Sequence, residues 1–243
     1  MASRLVSVGW DAGDMAGLAR FWADLLGWEI TLANEEEVDL VAPDQDGAGL
    51  GLTFVPVPDR KTTRNRVHLD LSSSSLPDQD AVVARAELLG ATRADIGQGD
   101  VPWVVLRDPE GNEFCVLEPR PEYADTGRVA AIVVDAADPG AQANFWAAAT
   151  NWSIVRDEPA FATLRALPGH GPWLEFLRGE TPHTAKNRLH LEVAGEPGDE
   201  QTEIVQALCA LGATPADIGQ GPDVTWHVLR DPEANEFCVL SSR

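Results

Sequence analysis

Basic residues are scarce in this chain, and their scarcity excludes more than any motif does. Eighteen Lys and Arg stand against 39 Asp and Glu, for a formal charge of −21 and a pI near 4.4. A polyanion is held by its protein's cations, so nucleic acid is not an expected partner, and neither is an anionic membrane surface. Two readings of the acid excess stay open: a solubilising surface, or a field that gathers a cationic small molecule. Cysteine is sparse as well. Cys115, Cys209 and Cys238 make an odd count without a C-x-x-C pair, which argues against a disulfide scaffold and against a zinc ribbon. No apolar run approaches the roughly 18–20 residues of a membrane span. The opening MASRLVSVGWD carries too short an apolar run for a signal-peptide core. A cytoplasmic protein is expected. Neither G-x-x-x-x-G-K-[ST] nor G-x-G-x-x-G after a strand occurs, so no nucleotide cradle is visible.

What the chain does have is a repeat. NRVHLDL at 65–71 returns as NRLHLEV at 187–193, LGATRADIGQG at 89–99 as LGATPADIGQG at 211–221, and LRDPEGNEFCVL at 106–117 as LRDPEANEFCVL at 229–240. LARFWADLLGW at 18–28 has its counterpart in QANFWAAATNW at 142–152. Two copies of one unit therefore lie head to tail. They are expected as domains 1–121 and 129–243, joined by a Pro- and Gly-containing linker at 122–128.

Each copy subdivides again. Residues 4–10 read as a strand, and Asp14 can cap a helix whose Met15, Leu18, Phe21, Trp22, Leu25 and Leu26 fall at helical spacing before Gly27. Strand-like stretches WEITL, VDLVA and LGLTFVPV follow. The pattern then restarts with strand RVHLDLS, a helix over about 78–89 ending at Gly90, and strands near 91–96, 103–107 and 113–118. Asp138-Pro139 opens the first helix of copy two. The chain is thus four βαβββ modules of the α+β class, with helices on one sheet face. How the modules pair, within a copy or across copies, stays open, as does monomer against homodimer.

FWADLLGW at 21–28 and the closing DPEGNEFCVL and DPEANEFCVL resemble the vicinal-oxygen-chelate superfamily, in its tandem glyoxalase and bleomycin-resistance form. The resemblance implies two tandem glyoxalase-like domains whose cup-shaped mixed sheets curl around a divalent metal. Its ligands would come from opening strands, as His or Gln, and from last strands, as Glu. Carried onto this chain, the opening positions are Ser7, His68, Ala131 and His190. The last-strand positions are Thr53 or Leu52, Cys115, Glu175 or Leu174, and Cys238. Hard cations want oxygen ligands and zinc wants about four donors, so the family's metal site reads as lost and no cofactor is expected.

Strand alternation puts Arg66, His68 and Asp70 on one face and Val67, Leu69 and Leu71 on the other, with Arg188, His190 and Glu192 matching in copy two. Glu113 shares a face with Cys115, and Glu236 with Cys238. Trp103, Trp226 and Trp173 are candidates to line a cavity, whereas Trp22, Trp28, Trp146 and Trp152 suit a core. The candidate ligand site is therefore His68, Asp70, Trp103, Glu113, Cys115, Glu175, His190, Glu192, Trp226, Glu236 and Cys238. His68 and His190 are the candidate proton-transfer groups, with carboxylates tuning them. Cys115 and Cys238 read either as small buried residues or as nucleophiles served by those histidines.

The function these residues suggest is metal-independent binding and sequestration of a small organic molecule, a natural product or drug of cationic or aromatic character, as in the family's antibiotic-resistance members. The alternative is a lyase, isomerase or dioxygenase with a non-standard metal site or histidine acid–base catalysis.

Overall fold

The computed structural model describes residues 3–43, 49–167, 169–179, 183–221 and 224–242. Module one runs β1 (Arg4–Ala12), α1 (Met15–Leu26), β2 (Glu29–Ala33), β3 (Val38–Val41) and β4 (Gly51–Pro56). Module two follows with β5 (Val67–Leu71), α2 (Leu76–Leu88), β6 (Thr92–Arg93), β7 (Val104–Arg107) and β8 (Glu113–Val116). Copy two repeats this as β9 (Val129–Ala136), α3 (Pro139–Thr150), β10 (Ser153–Glu158), β11 (Phe161–Arg165) and β12 (Trp173–Arg178). It ends with β13 (Leu189–Ala194), α4 (Gln201–Ala210), β14 (Thr214–Pro215), β15 (His227–Arg230) and β16 (Glu236–Val239).

Local chemistry sets the helix ends. The Asp14 carboxylate accepts from the Gly17 N–H at 3.0 Å, and Gly27 closes α1 in the left-handed region at φ 72°. Asp138 caps α3 in the same way, and Asn151 takes the left-handed closing position at φ 60°. Helix α2 starts two residues before its sequence-based bound. Ser75 caps it, and Pro77 falls in the first turn, where a missing N–H costs nothing. The strand expected near 91–96 shrinks to Thr92–Arg93.

The sheets answer the pairing question. Modules one and four form one eight-stranded sheet, β14-β15-β16-β13-β1-β4-β3-β2, here sheet A. Modules three and two form the other, β10-β11-β12-β9-β5-β8-β7-β6, here sheet B. The joins are antiparallel: β1 with β13, and β5 with β9. Each cup is therefore shared between the copies, and neither copy closes one by itself.

The side of each strand opposite the cup faces a common core. Val67, Leu69 and Leu71 are 0–3% exposed, as strand alternation predicts. Helix α1 lies between the sheets: Trp22 packs on Trp10 of sheet A at 5.3 Å and on Phe114 of sheet B at 5.0 Å between ring centroids. Trp146 of α3 meets Phe237 at 5.1 Å in the equivalent place. Burying a side chain of this size stabilises by about 2–3 kcal/mol, so these aromatics hold the two sheets together.

The DPE-x-NEF turns are structural clasps. Asp108 accepts from the N–H groups of Glu110 and Asn112 and from Asn112 Nδ2, each at 2.9 Å, and from Trp22 Nε1 at 3.3 Å. Burial pushes its carboxyl up to about 6 even so. Glu110 then reaches across to the start of α1, accepting from the Asp14 N–H at 2.6 Å, and pairs with Arg188 at 2.6 Å. Glu233 does the same for Asp138, at 2.7 Å, and for Arg66, at 3.3 Å. Each clasp ties the modules of one copy across the two sheets. Among the described residues no helix is long and apolar enough to cross a membrane.

Candidate ligand-binding site

On the cup face of sheet B, β5 presents His68 and Asp70, β8 presents Cys115, and β12 presents Trp173 and Glu175. They line a cavity of about 450 Å³, a volume ordinary for small-molecule pockets. Trp103, Phe161, Leu117 and Leu177 supply further apolar wall, and Arg64, Arg120 and Arg156 supply charge. The segment joining the two copies adds Tyr123, from a single 3-10 turn at Pro121–Tyr123. Tyr123 donates to Glu175 Oε1 at 2.9 Å and is itself buried.

The polar groups of this cavity perturb one another. Burial, reinforced by the charge of Asp70, pushes Glu175 up from its ordinary 4.5 to about 7, although the Tyr123 hydroxyl works against the rise. Burial and Glu175 likewise push the Tyr123 phenol far up. Burial works to lower His68, but Asp70, with its Oδ1 3.4 Å from Nε2, outweighs it and holds the imidazole above its usual value. Burial and Asp70 drive the Cys115 thiol far up, which keeps it protonated and disfavours it as a nucleophile.

Two buried polar atoms facing this space are under-satisfied among the described residues: Thr163 Oγ1 has no hydrogen-bond partner, and Asp70 Oδ1 has only its long 3.4 Å contact with His68 Nε2. Buried polar atoms are nearly always paired, and leaving one unpaired costs about 1–3 kcal/mol.

Over sheet A the corresponding residues make a different arrangement. His190 lies against Gly9: a Cβ built there would sit 2.4 Å from Nε2. Ser7 donates its hydroxyl to Glu192. His190 Nε2 is 3.5 Å from Glu192 Oε1, while Nδ1 has no partner among the described residues. Burial lowers His190, but Cys238 and Glu192 together hold it well above its usual value.

Several expected site residues fall elsewhere. Glu113 shares the face of Cys115 but sits at the outer end of β8. There Lys61 Nζ at 2.9 Å and the Asn65 N–H at 3.2 Å hold it, below the ordinary carboxylate range despite its burial. Glu236 accepts from the Asn187 N–H at 3.2 Å and lies 3.0 Å from His183 Nε2. Both glutamates fix the loop before the opening strand of their own module, β5 or β13, and neither lines the sheet B cavity. Arg66 turns to the rim, donating to the Asp135 carbonyl at 3.0 Å. Trp226 is 38% exposed beside sheet A, while its counterpart Trp103 lines the cavity of sheet B. Sequence reading missed Tyr123, Thr163, Phe161, Arg120 and Arg156. Tyr123, as the chain's single tyrosine in its linker, was the one that could have been singled out.

The sequence profile of the glyoxalase-like domain matches residues 7–117 and again 131–240. The chain belongs to the glyoxalase-like domain family, in two tandem copies. No curated protein matches it. Among solved structures, glyoxalase I from Zea mays superimposes with a TM-score of 0.63 at 12% identity, over 99% of this chain and 92% of that one. A candidate dioxygenase from Bacillus subtilis gives 0.62 at 12% identity, over 98% and 85% of the two chains. At such identities the likeness is one of fold.

The fold's metal positions can now be tested against their residues. Over sheet B they are His68, Cys115, Ala131 and Glu175. Ala131 offers no donor, Cys115 is held as a thiol, and Glu175 is committed to Tyr123. Over sheet A they are Ser7, Thr53, His190 and Cys238, without a carboxylate. Neither set suits a hard divalent ion. What the strands do bring together is His68, Asp70 and Cys115, and again His190, Glu192 and Cys238, with one donor atom from each residue within 4.8 Å of the others. The carboxylate in each triplet was not counted in reading the ligand positions from sequence.

Proposed function

We propose that the protein binds a small organic molecule over sheet B and holds it without a metal. The supporting observation is the pairing of aromatic walls with under-satisfied buried polar atoms in one cavity: Trp103, Trp173 and Phe161 offer apolar surface, while Asp70 and Thr163 offer an acceptor and a hydroxyl. A ligand that donates to Asp70 Oδ1 or hydrogen-bonds Thr163 Oγ1 completes the pairing of these buried atoms, and its flat portion gains contact with the indoles. Glu175 near 7 and Tyr123 add a carboxyl–phenol pair that can donate or accept according to the guest.

Native mass spectrometry of freshly purified protein tests this. The expected result is a non-covalent organic adduct of one per chain that survives treatment with a chelator, leaves chemically unchanged, and disappears in Trp173→Ala. An adduct released by the chelator, or converted on standing, would count against it.

A second reading, an enzyme with an unusual metal site, is favoured by the two His–carboxylate–Cys triplets. Three such donors are one short of the zinc set. Elemental analysis of protein purified without chelators decides: less than about half an equivalent of Zn, Fe, Mn or Ni per chain removes it.

A further inference from the structure

The charge of the whole chain points toward a cationic guest, and the mouth of the sheet B cavity points the other way. Arg64 comes from the loop before β5, and Arg156 from edge strand β10 at the other end of the same sheet. Both line the cavity, and neither is paired with a carboxylate among the described residues. Their charges are therefore not neutralised by a neighbouring side chain and are open to a ligand. Arg120, the third lining arginine, is held by Glu118 at 2.7 Å and stacks over Trp103, 5.7 Å from the ring centroid.

The acids of the cavity leave that positive end uncompensated. Asp70 lies at the floor beside His68, and Glu175 shares its charge with the Tyr123 hydroxyl deep on β12. Asp135 is buried, and its charge acts on His68. Glu122 is the one exposed acid of the lining, so the rim carries two free guanidiniums to one carboxylate. Guanidinium groups bind carboxylate, sulfonate and phosphate oxygens through paired N–H donors, and strongly where aromatic walls exclude water.

Building on the proposed pocket, we propose that its guest is an organic anion: a flat aromatic body lying between the tryptophans, with an acidic group at the mouth held by Arg64 and Arg156. The −21 charge then serves solubility and does not select the ligand.

Two fluorescent probes of one skeleton separate the possibilities. 8-Anilinonaphthalene-1-sulfonate carries an anionic group, and N-phenyl-1-naphthylamine is the same body without it. The expected result is at least tenfold tighter binding of the sulfonate to the wild-type chain. In the double variant Arg64→Ala/Arg156→Ala the preference falls to within about twofold while the neutral probe binds unchanged. Trp103→Ala, which trims the wall and leaves both charges, weakens both probes alike. Equal affinity for the two probes, or a preference that survives removal of both arginines, overturns the anion assignment and leaves the pocket standing. Binding of neither probe removes the pocket itself, and this inference with it. Circular dichroism of each variant matched to wild type shows that the losses are local.

Discussion

Sheets A and B are built from one repeated sequence, share strand order and carry the same His–carboxylate–Cys face, yet their hollows differ. The cause is the strand that each His-bearing strand meets from the other copy. In sheet A the partner β1 places Gly9 opposite His190 and Ser7 opposite Glu192. In sheet B the partner β9 places Val133 opposite His68 and Ala131 opposite Asp70. Glycine lets His190 lie down on the strand, and serine satisfies Glu192. Valine and alanine give His68 and Asp70 no such seat or donor, so their polar atoms face the cavity. One strand further on, Thr53 of sheet A is matched by Glu175 of sheet B. Duplication supplied two equal cups; the differences at three positions, Gly9/Val133, Ser7/Ala131 and Thr53/Glu175, let one seat its own histidine and carboxylate and left the other receptive.

The largest effect expected from this comparison is on the pH dependence of stability. The folded Glu175 carboxyl near 7 lies above its ordinary 4.5, so between those values the native state holds a proton that the unfolded chain has released. Stability therefore falls as pH rises through that window and levels off above it, by about 3 kcal/mol for a shift of this size. Urea unfolding of Glu175→Gln between pH 5 and 8 is expected to lack this component, while Thr53→Ser in sheet A leaves it intact. Tyr123→Phe, which removes the bond opposing the rise, is expected to move the end of the decline above pH 7.

Putting the residue of one cup into the other gives the next effect. Gly9→Val drives a Cβ into His190 Nε2 on a strand hydrogen-bonded on both sides, and overpacking of this kind costs about 1–3 kcal/mol. Adding His190→Ala is expected to recover at least half of that loss in a double-mutant cycle. An unchanged urea midpoint for Gly9→Val alone would show that His190 is not seated as described.

The smallest effect comes from giving Asp70 the donor that Glu192 enjoys. Ala131→Ser is expected to stabilise the free protein by about 0.5–1.5 kcal/mol, the net value of a buried hydrogen bond. It should also weaken probe binding over sheet B, since the guest then competes with an internal donor. Calorimetric melting and fluorescence titration of one variant read both consequences.

Much of the fold was legible because it rests on repetition and local rules. Asp14, Gly27 and Asp138 mark helix ends by their own chemistry, and the alternation of Val67, Leu69 and Leu71 with His68 and Asp70 fixes which face is core. The cross-copy pairing was not legible, since two equivalent modules present equivalent edges and only three-dimensional closure chooses between them. The site was half legible for the same reason. His68, Asp70, Cys115, Trp103 and Glu175 follow from strand parity and family position. Glu113 and Glu236 have the right parity but lie a step too far along the strand, where the loop before their own module's opening strand claims them. Tyr123, Thr163 and Arg156 come from segments that no spacing rule relates to β5.

Hydrogen–deuterium exchange with a chelator present, recorded with and without bound 8-anilinonaphthalene-1-sulfonate, addresses the asymmetry of the two cups most directly. Slower exchange is expected in 103–123 and 161–177 around the sheet B hollow, with 7–11, 51–55 and 236–240 of sheet A unchanged. Protection centred on the sheet A segments, or protection that appears only when a divalent metal is restored, would contradict the account.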